Sequence, residues 1–144
     1  MVEIALTRLD QDLPLPRAAH EGDAGTDLYA RHDAMIPPAG GRVLMPTGIA
    51  IAIPRGWAGF VLPRSGLALH HGVTVVNAPG LIDAHYRGEL MVVLLNTDHS
   101  RPYRVRRGDR VAQLVIQRVE EVTWREVETL DDNDRGGGFG HSGR

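Results

Sequence analysis

Three features of this 144-residue chain predict an all-β sandwich or barrel with at most one short helix. Short apolar runs recur at strand-like spacing, turn-forming residues separate them, and a helical hydrophobic period is nearly absent. The runs, in order, are Val2–Leu6, Arg42–Met45, Gly48–Ile53, Ala58–Leu62, Val73–Val76, Leu90–Leu95, Tyr103–Val105, Val111–Val119 and Val122–Val127. Pro37-Pro38 and Gly40-Gly41 precede the second run, Pro54 and Gly56 divide the third from the fourth, Pro79-Gly80 follows the fifth, and Gly108-Asp109 opens the eighth. Such punctuation marks β architectures of many short strands. The helical candidate is Ser65–His70, a turn or two beginning at a residue type that caps well.

Residues 1–130 are expected to form one β domain, and residues 131–144 a flexible arm. The arm reads Asp-Asp-Asn-Asp-Arg-Gly-Gly-Gly-Phe-Gly-His-Ser-Gly-Arg, with only Phe139 to bury and glycines that make order costly. An inert tail fits that composition. So does a flap: one cation, one ring and many unhindered amides suit closure over a flat, charged ligand.

Composition excludes several kinds of chemistry. The chain has no Cys, which removes thiol nucleophiles, thiolate zinc sites and disulfides. All 16 basic residues are Arg, so a Walker A lysine, a Schiff base and a Ser-Lys dyad are impossible. Any phosphate must be held by guanidinium groups or backbone amides; the Arg fork suits phosphate oxygens. The formal net charge of −2 leaves no basic face for a nucleic-acid backbone. The longest run free of formal charge, Ser65 to Ile82, is interrupted by His70, His71, Asn77 and Pro79 and falls short of the roughly 20 apolar residues of a membrane span. The first ten residues lack the pattern of a secretory signal, so a cytoplasmic location is expected.

The most distinctive segment is Asn77-Ala-Pro-Gly-Leu-Ile-Asp-Ala-His-Tyr-Arg-Gly-Glu89. A plain hairpin needs only Gly, Asn, Asp or Pro to set its backbone. Tyr86 and the Leu81-Ile82 pair instead suggest a wall for a flat ligand, with Asp83 at its centre. An ionised carboxylate there can orient and deprotonate water. With an ordinary pKa of about 3.9 it is a weak base at neutral pH, so the electrophile must already be polarised, as a phosphate carrying Mg²⁺ is. Magnesium often arrives on substrate phosphates with its waters, and no carboxylate cluster is required.

Other segments supply binding groups. In Pro63-Arg64-Ser65-Gly66 the guanidinium and backbone amides can converge on an anion, although a Ser-capped turn would look the same. Period two along Val111–Gln117 puts Ala112, Leu114 and Ile116 on one face and Gln113 with Gln117 on the other, which is either a polar site wall or a solvated face. Asp27 is a lone acid beside a turn, in a ligand network or as a cap. The seven His form no metal-ligand set, no Gly-X-Ser-X-Gly elbow is present, and Arg107-Gly108-Asp109 is explained as a turn between strands.

Taken together, these blocks closely resemble the five ordered motifs of the trimeric dUTP diphosphatase family. They are Ala24–Ala30, Pro63–Ala68, Gly80–Glu89, Arg107–Ile116 and Arg135–Gly143. The resemblance implies a jelly-roll-like β fold, a homotrimer with sites at subunit boundaries, and Mg²⁺-dependent hydrolysis of dUTP to dUMP and pyrophosphate. By that resemblance Asp83 holds the water that attacks the α-phosphorus, and Tyr86 packs beneath deoxyribose, leaving no room for a 2′-hydroxyl. Asn77, Gly80 and Ile82 belong to the hairpin that reads uracil and excludes the thymine methyl. Arg64, Ser65, Gly66 and Gln113 match phosphate contacts, and Asp27 matches the acid supporting the metal-bound water. In the arm, Arg135 would meet the γ-phosphate, Phe139 would stack on uracil, and Ser142 with Gly143 would add phosphate contacts. The chain departs from the pattern by one residue fewer between Arg135 and Phe139, and by His85 where an acid is commoner. Two rivals remain: a dCTP deaminase of the same fold, disfavoured by Arg64-Ser65-Gly66 and Tyr86, and a trimer that binds dUTP without turnover.

Overall fold

The structure, a computed structural model, describes residues 2–130. The chain runs β1 (Ala5–Arg8), β2 (Thr26–Tyr29), β3 (Ala34–Ile36), β4 (Gly41–Ala52), β5 (Trp57–Leu62), α1 (Ser65–His71), β6 (Val73–Val75), β7 (Gly80–Ile82), β8 (Glu89–Asn96), β9 (Tyr103–Val105) and β10 (Arg110–Arg118). Two four-stranded sheets, ordered β1-β4-β8-β6 and β2-β10-β5-β7, and a ribbon β3-β9 give the all-β architecture that the strand pattern predicts, in the jelly-roll-like form that the resemblance implies. Every pairing is antiparallel.

Strand alternation builds the core. In β8, Leu90, Val92 and Leu94 point inward while Glu89, Met91, Val93 and Leu95 point outward. Each fully buried side chain of this size contributes roughly 1.5–3 kcal/mol relative to exposure. They pack with Met45, Ile49 and Ile51 of β4 and with Val61, Ala112 and Leu114 of the opposite sheet. The polar atoms taken inside find partners: the Asn96 amide donates to the carbonyls of Ile36 (3.2 Å) and Arg101 (2.8 Å), and the Thr47 hydroxyl donates to that of Leu90 (2.7 Å). Among the described residues, no buried side-chain nitrogen or oxygen lacks a partner.

Several expectations are revised. Arg42–Met45 and Gly48–Ile53 belong to one strand, β4, bulged where Pro46 pairs with Met91 and Ala50 with Glu89. The first strand lies at Ala5–Arg8 rather than Val2–Leu6, and β2, β3 and β7 are additional short strands. Val122–Val127 is not a strand: it finds no ladder partner among the described residues, and Trp124 is 92% exposed. Ser65 is the first helical residue rather than the cap; Arg64, extended at φ −98°, holds that position without a side-chain capping bond. Gly72 ends the helix at φ 63°. Among the described residues, no helix is long and apolar enough to cross a membrane.

Candidate active site

The central strand β10 assembles the first half of the site. Gln113 lies opposite Asp27 of β2 on one side and opposite Leu62 of β5 on the other, so three neighbouring strands present side chains along one line. β5 then leads through Pro63 into Arg64 and the first turn of α1. A cleft of about 440 Å³ opens there, walled by Gly25, Asp27, Arg64, Ser65, Gly66, Arg110 and Gln113. That volume lies in the usual range for small-molecule sites.

Asp27, with a side chain only 13% exposed, is flanked by two guanidiniums: Arg64 Nε lies 3.4 Å from Oδ1 and Arg110 Nη1 lies 3.3 Å from Oδ2. Arg64 also donates through Nη1 to the Arg110 carbonyl at 3.0 Å, which joins the two arginines through backbone. Arg64 and Arg110 thus bring two guanidiniums to a cleft whose lining also carries the carboxylates of Asp23 and Asp27, and the guanidinium forks are the groups suited to an anion. Gln113 Nε2 donates to the Pro63 carbonyl at 2.9 Å, which fixes its amide. A Cβ added at Gly66 would meet nothing within 4 Å, leaving that backbone open to the cleft.

Arg110 and Gly25 join the site without having been singled out from the sequence. Strict alternation puts Arg110 on the inward face with Ala112 and Leu114. Instead, the ladder shifts register between Arg110 and Ala112, a bulge that turns the guanidinium to the Asp27 side. Gly25 lets the Gln113 amide approach closely, since a Cβ there would lie 2.7 Å from Gln113 Oε1 and the glutamine side chain would have to move aside.

The second half is the hairpin after β6. Asn77 is exposed, and its Nδ2 lies 3.4 Å from where a Gly80 Cβ would stand. β7 pairs Gly80 with Val61 and Ile82 with Gly59. Asp83 is solvent-exposed, and its carbonyl closes the turn by accepting the Tyr86 amide at 3.0 Å. Tyr86 is 42% exposed and donates its hydroxyl to the Glu89 carbonyl at 2.7 Å. Arg87 braces the turn from outside, donating to the carbonyls of Ala84 (2.6 Å) and Tyr86 (2.7 Å).

Asp83 does not reach the Arg64 cleft within one chain. β7 runs antiparallel to β5, so beyond Ile82 the chain heads away from Arg64 and Asp83 falls near the level of Ala58. Six residues of strand separate that level from Arg64, ~20 Å at about 3.3 Å per residue. Thus Asp27, Arg64, Ser65, Gly66 and Gln113 stand together, while the hairpin carries Asn77, Gly80, Ile82, Asp83 and Tyr86, starting opposite Val61 near the cleft and taking Asp83 away from it. Arg135, Phe139, Ser142 and Gly143 lie outside the described residues.

No group of three or more His, Asp or Glu among the described residues could cage a metal ion. The available donors, Asp27 beside an anion cleft and the exposed Asp83, fit an ion held chiefly by phosphate oxygens and water.

An all-β domain with a paired-arginine anion cleft and a detached, carboxylate-bearing hairpin is thereby defined. The profile of the family described as dUTPase matches residues 11–143. The deoxyuridine 5′-triphosphate nucleotidohydrolase of Thermobifida fusca (strain YX) is 59% identical over 143 residues, 99% of this chain and 79% of that protein. Its counterpart in Corynebacterium glutamicum is 56% identical over 145 residues, covering 100% of this chain and 97% of that protein. Among solved structures, the dUTPase of Staphylococcus bacteriophage 80alpha with dUPNHPP superimposes at a TM-score of 0.90, with 25% identity and 100% of both chains covered. The chain belongs to the dUTPase family.

Proposed function

We propose that the protein hydrolyses dUTP to dUMP and pyrophosphate in a Mg²⁺-dependent reaction, limiting uracil incorporation into DNA and supplying dUMP for thymidylate synthesis. Membership of the dUTPase family over residues 11–143 is the observation that carries this reading. The reacting groups are distributed between chains. Arg64, Arg110, Gln113 and the backbone at Ser65 and Gly66 of one chain bind the triphosphate. The hairpin of another supplies Asn77, Gly80 and Ile82 against uracil, Tyr86 beneath deoxyribose, and Asp83. A water held by the Asp83 carboxylate attacks the α-phosphorus; the new P–O bond forms as the bond to the bridging oxygen breaks, the proton passes to Asp83, and pyrophosphate leaves. Asp27 would support the waters of a Mg²⁺ ion carried on the phosphates, and that ion would supply neutralisation of phosphate charge.

The ~20 Å between Asp83 and Arg64 along β5 exceeds the α-to-γ span of a triphosphate, which supports a site shared between copies of this chain. Apolar side chains turned outward, Leu44 (58% exposed), Leu81 (57%) and Met91 (43%), support burial of both sheet faces in a homotrimer. On sequence grounds, residues 131–144 form the arm that closes over the bound nucleotide through Arg135, Phe139, Ser142 and Gly143. A cytoplasmic location accords with this role.

A panel measuring pyrophosphate release with Mg²⁺ tests the reading. Release from dUTP far faster than from dCTP, dTTP or UTP is expected; ammonia released from dCTP would establish a deaminase instead.

A further inference from the structure

Tyr86 is held in place by atoms that belong to its own hairpin and by a polar chain extending well beyond it. Its ring lies against Gly88, where an added Cβ would stand 2.6 Å from the phenolic oxygen and 2.8 Å from Cζ. Its hydroxyl is fixed at 2.7 Å by the Glu89 carbonyl. The ring is therefore placed as accurately as the backbone of Glu89 is placed.

Glu89 is anchored through its side chain. It opens β8 at the irregular stretch of the β4–β8 ladder, opposite Ala50. Its Oε1 accepts the Gly48 amide at 2.8 Å, inside the β4 bulge, where Gly48 has φ +74°. Both of its oxygens accept from Arg31 Nη1 at 3.1 Å, and the carboxylate is only 14% exposed. Arg31, just after β2, is held in turn: its Nη2 donates to the Leu9 carbonyl at 3.1 Å, its Nε lies 3.5 Å from Asp10, and its amide donates to the Pro46 carbonyl at 2.9 Å. Arg107 closes the chain with two bonds to Asp10, at 2.6 and 2.9 Å, and one to the Arg31 carbonyl at 2.6 Å. A charge-assisted network of this kind, partly shielded from water, holds its members more firmly than an exposed pair does.

We propose that Arg31 and Glu89 are positioning residues for Tyr86, and that they set the preference for a deoxyribose over a ribose through the backbone carbonyl that fixes the tyrosine hydroxyl. The inference rests on the reading of Tyr86 as the surface beneath the sugar. Neither residue touches substrate. Rejecting one extra hydroxyl depends on a wall that does not yield, and loosening Glu89 lets the Tyr86 ring retreat. Uracil recognition uses other hairpin atoms, so base preference should not change.

The test compares kcat/KM for dUTP, UTP and dCTP in the wild type, Arg31→Ala, Glu89→Ala, Glu89→Gln and Tyr86→Ala, with melting temperature and oligomer mass recorded for each. The expected result is a dUTP:UTP ratio lowered roughly tenfold in Arg31→Ala and Glu89→Ala, the scale of one lost hydrogen bond, with dUTP:dCTP unchanged. Glu89→Gln, which keeps an acceptor for the Gly48 amide, should recover most of the ratio. Should Glu89→Ala fail to assemble, Arg31→Ala carries the test, because its side chain is 35% exposed and Asp10 retains Arg107. A dUTP:UTP ratio that stays at the wild-type value, or that falls together with dUTP:dCTP, overturns the inference. If Tyr86→Ala also preserves the dUTP:UTP ratio, the reading of Tyr86 itself fails; if Tyr86→Ala alone collapses it, only the positioning role does.

Discussion

Gly25 and Gln113 are packed so closely that a single methyl group on the glycine would lie 2.7 Å from the amide oxygen of the glutamine. Gly25→Ala is therefore expected to push the Gln113 side chain off the Pro63 carbonyl and out of the cleft. A misplacement of that size in a phosphate contact should lower kcat/KM for dUTP on the order of ten- to a hundredfold. Steady-state kinetics beside a thermal melt checks this: activity should fall while the melting temperature moves by only a few degrees.

Asp27 offers a charge-based test. Replacing it with Asn makes the cleft more positive by one charge, since Arg64 and Arg110 remain with Asp23 as the other lining carboxylate. Metal-free pyrophosphate should bind the variant more tightly by calorimetry. Hydrolysis of dUTP should fall by roughly tenfold or more, because the carboxylate that orients both guanidiniums is gone.

Acid stability should report the Asp10–Arg107 pair. The hydrogen bond from Arg107 holds the Asp10 carboxyl below its ordinary 3.8, at about 2. A depressed folded-state value stabilises the native protein above the unfolded value and loses that contribution as pH falls through the folded one. Urea midpoints of wild type and Asp10→Asn should thus differ most above pH 4 and converge as pH approaches about 2. A difference that stays constant across this range would contradict the pairing.

Much of this architecture was legible from the residue pattern. The longer strands β4, β5, β8 and β10 show as apolar runs because both sheet order and core depend on them. Gln113 was assignable to the polar face by alternation alone. Strands β3 and β7 span three residues each and carry no β-branched residue except a final Ile, so they do not stand out from the flanking turns, whereas the equally short β6 and β9 show through Val73, Val75 and Val105. Val122–Val127 shows the opposite failure: β-branched residues and a tryptophan have strand character, but a strand exists only where a neighbour supplies the ladder, and none of the described residues does so there. Arg110 was hidden by a bulge, which breaks the alternation by which its direction would be read.

The central claim, that the Asp83 hairpin of one chain meets the Arg64 cleft of another, is tested most directly by mixing two inactive variants. Asp83→Asn should keep nucleotide binding and lose about a hundredfold or more in kcat, and Arg64→Ala should lose binding. Unfolded together and reassembled in equal amounts, with mixed oligomers verified by native mass spectrometry, they should regain about a quarter of wild-type activity, because about one site in four then combines an intact hairpin with an intact cleft. Mixed oligomers as inactive as the separate variants would contradict the shared site and the mechanism built on it.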